Sequence, residues 1–193
     1  ILARRQRQMC IRDSVYTAAT KRQGGINAGD TRAIIALRVA PSVDNGISGN
    51  FGTRELVNRM QLVLSQVDIS SNGKFFVELV LNPVPDIQGI WIPVGGTSIA
   101  QYAIMNTNTQ LVGGEVIFGF YSDNGVNQYS LDEVKELSNS ILGGGSNNFD
   151  TSTGANPTGI FPDGPEVLAI RATNITNGTK GIDARFSWKE AQA

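Results

Sequence analysis

The chain has 193 residues, a formal net charge of −1, one cysteine and no histidine. These figures exclude an internal disulfide, imidazole-based catalytic triads and imidazole-ligated zinc, and there is no clustered Lys and Arg footprint for a nucleic acid. A hydrophobic share of 40% against 17% charged suits a folded chain, and no apolar run approaches the roughly 20 residues of a membrane helix.

The first segment, Ile1–Ser14 (ILARRQRQMCIRDS), carries four Arg and one Asp and no defensible strand or helix period. Its part Arg7–Ser14 resembles the peptide made when a sequencing adapter is translated at the end of a metagenomic read. Residues 1–14 are therefore set aside as a non-native segment, Cys10 with them. On that reading the protein extends further N-terminally, and 31–193 is a single β-rich domain forming the C-terminal part of a longer chain. Residues 15–30 are polar and glycine-containing (KRQGGINAGD at their end) and read as a linker or loop.

Ala33–Val39 (AIIALRV) is apolar and β-branched, and Pro41 closes it, so it reads as a strand. Asp44–Gly52 is turn chemistry. Thr53–Val57 reads as a short helical turn capped by Thr53, followed by a strand from Asn58 to Ile69. Asn72-Gly73 predicts a hairpin, because both central positions of a type I′ turn need positive φ. Phe75, Val77, Leu79 and Leu81 would line its second strand. A clean two-residue turn would put Gln66 and Asp68 on the face of Val77 and Leu79, so a bulge or longer loop is expected. Gly89–Val94, Ser98–Met105 and Glu115–Tyr121 follow as strands.

One short helix is predicted over about 130–142. Ser130-Leu131-Asp132-Glu133 is a capping box, Leu131, Val134, Leu137 and Ile141 form an apolar stripe, and Gly143–Gly145 end it. Asn147–Pro165 is a long polar loop. Glu166–Thr173 and Ile182–Trp188 are the last strands, with a turn at Asn174–Gly181. Twenty-two glycines fit many strands joined by turns. The fold class expected is mainly β: an antiparallel β-sandwich, jelly-roll-like, with that one helix.

Candidate chemistry is thin. Asp123, Asn124, Gly125, Asn127 and Asp132 offer oxygens, but their spacing misses the calcium-loop pattern, and a turn leading into a capped helix explains them. Ser122-Asp123-Asn124 lacks the companion motifs of a β-lactamase. Gly143-Gly144-Gly145 follows a helix, whereas a phosphate loop precedes one. Asn174-Ile175-Thr176 and Asn177-Gly178-Thr179 match the glycosylation acceptor pattern and also read as turn residues. Trp91 and Trp188 sit in apolar strands, the place of core or interface residues, although either could stack a ligand. The carboxylates Glu78, Glu115, Asp132, Glu133, Glu166 and Asp183 are scattered. No catalytic, cofactor-binding or metal-binding residue is nominated.

Two segments carry a family resemblance. Gly52–Leu62 (GTRELVNRMQL) and Phe186–Ala193 (FSWKEAQA) resemble large virion structural proteins of marine contractile-tailed phages of the cyanophage type. The resemblance implies a non-enzymatic particle component, made in the bacterial host cytoplasm and residing in the virion. Its partners would be other virion proteins or copies of itself, with no nucleic acid, membrane, cofactor or small-molecule substrate. In that account Phe186 and Trp188 anchor the last strand in the core, and Asn147–Pro165 is a contact surface. The alternatives are a carbohydrate- or receptor-binding sandwich module and, behind it, a hydrolase using two convergent carboxylates.

Overall fold

Period-two patterning recurs along the chain, and strands result. The computed structural model describes residues 12–20, 23–40, 50–51, 54–55, 60–84, 91–95, 98–105, 110–131, 141–142 and 166–192. One six-stranded sheet holds β1 (Arg12–Ala19), β2 (Gln23–Ile26), β6 (Met60–Ser71), β11 (Gly125–Ser130), β12 (Ile141–Leu142) and β14 (Lys180–Gln192). Its order is β1–β14–β6–β11, with β2 also against β14 and β12 against β6. The second holds β3 (Thr31–Val39), β7 (Phe75–Val84), β8 (Ile92–Pro93), β9 (Ala100–Ile104), β10 (Gly113–Ser122) and β13 (Val167–Asn174). Its order is β10–β7–β13–β3–β9–β8. The strands β4 (Asn50–Phe51) and β5 (Arg54–Glu55) pair with each other. Every pairing is antiparallel.

Four short turns carry the chain from one sheet to the other: 27–30, 72–74, 123–124 and 175–179. Strands joined by these turns face each other across the core, while their own hydrogen-bonded neighbours are far apart in sequence. This double Greek-key order is that of a jelly roll, with β9 and β8 added beyond β3.

The last strand shows the pattern most clearly. Ile182, Ala184, Phe186, Trp188 and Glu190 are buried, while Arg185 and Lys189 between them face outward. In β6 the apolar row changes phase, from Leu62 and Leu64 to Val67 and Ile69. The ladder with β14 skips Ser65, so an extra residue re-aims the row. That residue is tied down: Ser65 Oγ donates to the Ser187 carbonyl at 3.1 Å, and the Ser65 carbonyl accepts Leu131 N–H at 2.9 Å.

β3 is buried without a break from Ala33 to Leu37, as an apolar strand covered on both faces must be. A register shift beside Ile35 lets both Ile34 and Ile35 enter the main core. Ala33, Ala36, Ala103 and Ala169 form a second, smaller cluster with Met105 and Leu111, against which Trp91 and Val167 pack. Alanines leave room there for Met105 and Leu111 to lie close to the sheet. Each fully buried Leu, Ile or Phe contributes about 2 kcal/mol.

Several sequence expectations are corrected. Asn72-Gly73 makes no hairpin: β6 and β7 lie in different sheets, and neither Asn72 nor Gly73 has positive φ. Burial decides this against local turn preference, because the apolar rows of both strands are needed on opposite sides of one core. The feared conflict of Gln66 and Asp68 with Val77 and Leu79 vanishes with it. Residues 15–30 are not a linker but hold most of β1, all of β2 and a turn; Tyr16, Ala18 and Ile26 point inward among polar neighbours. The sheet also takes in Arg12–Ser14 from the segment set aside. The helix over 130–142 is not seen: Ser130 ends β11, Ile141–Leu142 pair with β6, and 132–140 lie outside the described residues. Arg54–Glu55 belong to a strand and not to a helical turn. The strand Gly125–Ser130 escaped notice because it is largely polar. Asn147–Pro165 lies outside the described residues.

Candidate functional site

The four sheet-crossing turns meet at one end of the sandwich and bond to one another. Gly29 N–H donates to the Asn174 carbonyl at 2.8 Å, and Asn174 N–H returns to the Asp30 carbonyl at 3.0 Å. Ile175 N–H donates to the Lys74 carbonyl, and Asn72 N–H to that of Gly181. Side chains fill the remaining gaps. Thr176 Oγ1 accepts from Lys74 N–H at 2.6 Å and donates back to the Lys74 carbonyl at 3.1 Å. Thr179 Oγ1 donates to Asn27 Oδ1, and Gly181 N–H to Asn72 Oδ1. The Ser71 hydroxyl reaches the carbonyls of Gly73 and Asp123.

Asn174 is the keystone of this end. It is fully buried, its Nδ2 donates to the carbonyls of Ile26 at 2.7 Å and Gly178 at 2.9 Å, and its Oδ1 accepts Thr176 N–H at 2.8 Å. One short side chain thus satisfies three backbone groups on two turns. Outside it the surface is polar and nearly balanced, with Lys74 Nζ 3.5 Å from Asp123 and Arg32 2.9 Å from Asp30. Together the turns form a hydrogen-bonded, solvent-facing platform.

The opposite end is secured differently. Glu190, fully buried at the end of β14, accepts Ser98 Oγ at 2.6 Å, Ile99 N–H at 3.2 Å and Trp188 Nε1 at 3.3 Å. This carboxylate latches the β8–β9 insertion onto the first sheet. The indole that donates to it is also buried, and its ring stacks on Tyr16 with centroids 6.3 Å apart.

On the outer faces, two acids are held in ion pairs. Glu78 pairs with Arg171 at 2.7 Å, both largely shielded, and Asp68 with Arg185 and Gln66. The described carboxylates do not gather, and among the described residues no three His, Cys, Asp or Glu side chains group as metal ligands. At Asp123–Asn124 the chain does turn, but into β11 and not directly into a capped helix: Asn127 Nδ2 donates to the Asp123 carbonyl at 2.8 Å and to Ser122 Oγ at 3.2 Å. Asp132 and Glu133 lie outside the described residues.

The two tryptophans are both engaged. Trp188 is in the core, and the Arg38 guanidinium lies 4.2 Å from the centre of the Trp91 ring, with Arg38 Nε donating to Gln101 Oε1. Burial lowers the Arg38 pKa to about 10, which leaves it cationic at neutral pH. The two adjacent acceptor triplets differ sharply, since Asn174 is inaccessible and Asn177 is exposed. The sequence reading missed Tyr121. Its ring is 72% exposed and leans on Phe76 at 5.1 Å, beside Gly119, and the alternation that places it on the outer face was readable.

No protein-family model matches the chain, and no curated protein matches it.

Proposed function

We propose that the chain is a non-enzymatic structural domain of a phage particle, acting by packing against copies of itself or other virion proteins. The observation that carries this reading is the jelly-roll strand order, an architecture of viral capsid domains. It occurs in a chain whose Gly52–Leu62 and Phe186–Ala193 segments resemble contractile-tailed phage virion proteins. A platform of interlocked turns suits packing, because a preorganised surface loses little entropy on contact. Long-read sequencing of the source locus tests the proposal. Flanking capsid, portal or tail genes are expected; a reading frame set among metabolic genes would overturn it.

A second reading, a carbohydrate-binding module, is favoured by one feature: the exposed Tyr121 ring on Phe76, an aromatic face open to a sugar. A glycan array on the wild-type chain and on Tyr121→Ala decides it. Glycan binding lost in the variant supports the module, and no binding by the wild type removes it.

A further inference from the structure

Three of the four turns at the interlocked end contain Asn-Gly: Asn72-Gly73, Asn124-Gly125 and Asn177-Gly178. Glycine after asparagine leaves the following amide nitrogen unshielded, so that it can attack the asparagine side chain. We propose that Asn177 is a self-modification site, at which the folded protein converts asparagine to aspartate and isoaspartate, and that Asn72 is protected from the same reaction.

The step needs only water. The Gly178 backbone nitrogen attacks Asn177 Cγ and forms a C–N bond. The bond from Cγ to the side-chain nitrogen breaks, and ammonia leaves with the proton from Gly178. Water then opens the five-membered succinimide at either carbonyl, giving aspartate or isoaspartate. No electrons are transferred.

What separates the three sites is how firmly each is held. Asn72 Oδ1 accepts Gly181 N–H at 2.7 Å, and Asn72 N–H donates to the Gly181 carbonyl. Gly73 is buried against the Lys180 side chain, which would lie 2.5 Å from a Cβ there. Asn124 is exposed, but Gly125 begins β11 and is paired with Ser71. Asn177 is exposed, makes no hydrogen bond, and with Gly178 lies outside every ladder. Gly178 has φ +81° and open space around it. At Asn177 the side chain is exposed and the following glycine lies outside the ladders with open space around it; Asn174 Nδ2 holds the Gly178 carbonyl at 2.9 Å but not the attacking nitrogen. The product adds a negative charge to the platform, and isoaspartate also lengthens the turn backbone between the Thr176 and Thr179 anchors.

Peptide mapping by mass spectrometry tests this after incubating the folded chain at mildly alkaline pH and physiological temperature. The tryptic peptide Ala172–Lys180 holds both Asn174 and Asn177, so the buried asparagine is an internal control. Asn177 is expected to convert at least roughly tenfold faster than Asn72, because a held group reacts only through local opening. In urea Asn72 and Asn177 should converge, and Asn177→Gln should remove the acidic charge variant. Conversion of Asn72 as fast as Asn177 in the folded chain overturns the proposal. So does an Asn177 that converts in urea but not when folded.

Discussion

The two ends of the sandwich are held by opposite means. At the turn end, many bonds of modest strength link four short loops, and most are open to water. At the far end, one buried carboxylate gathers a hydroxyl, a backbone amide and an indole N–H. Loss of an exposed bond is softened by water, which replaces the missing partner, whereas a buried donor deprived of its acceptor bears the full desolvation cost. The first end therefore tolerates substitution almost everywhere, and the second depends on one residue.

That contrast can be broken by measuring unfolding in urea. The largest expected loss is for Trp188→Ala, about 4 kcal/mol, from an emptied core site. Glu190→Ala should follow at about 3 kcal/mol, with Glu190→Gln nearer 1 kcal/mol because an acceptor oxygen remains. Equal losses in the two Glu190 variants would show that the carboxylate charge, and not the filled volume or a single acceptor oxygen, holds the donors there. Asn174→Ala, which removes a fully buried polar side chain of the turn end, should cost about 2 kcal/mol. Lys74→Ala should change stability by less than about 0.5 kcal/mol, since its pair with Asp123 is exposed and screened. If Lys74→Ala proves as costly as Glu190→Ala, the two ends do not differ in kind.

A further measurement concerns the side of the sandwich between β10 and β11. Desolvation, aided by the nearby Asp123 charge and opposed by a hydrogen bond with Ser122, raises the Tyr129 pKa above the usual tyrosine value. The folded state therefore keeps this proton to higher pH than the unfolded chain does. Stability from this group is complete below about pH 10 and is lost as pH rises through the folded value. Tyr129→Phe should flatten that alkaline decline in a pH series of melting temperatures, a smaller effect than the core losses.

Much of the architecture was legible because period two is a physical constraint on each strand. The row Ile182, Ala184, Phe186, Trp188 announces one buried face, and AIIALRV announces a strand covered on both. Pairing was not legible, because Asn72-Gly73 offers a local hairpin that only the shared core overrules. At the two ends of the expected helix the ladder with β6 takes Ser130, opposite Gln66, and Ile141–Leu142, pairings that no local pattern reveals. Of the candidate surface, the turn residues were visible as turns. Their mutual bonds were hidden, since Asn27 and Thr179, or Lys74 and Thr176, meet only after the sheets form.

The place of β14 also governs how the chain comes off the ribosome. It lies between β1 and β6 and, among the described strands, it is made after all the others. Until it emerges, two strands synthesised long before have no neighbour between them, and their open edges and apolar rows stay exposed. Such non-local pairing places folding on the millisecond-to-second scale or slower, and the waiting species is prone to aggregate. A chain stopped before Lys180 should therefore be captured by chaperones during translation, whereas emergence of Lys180–Gln192 closes the first sheet in a single step.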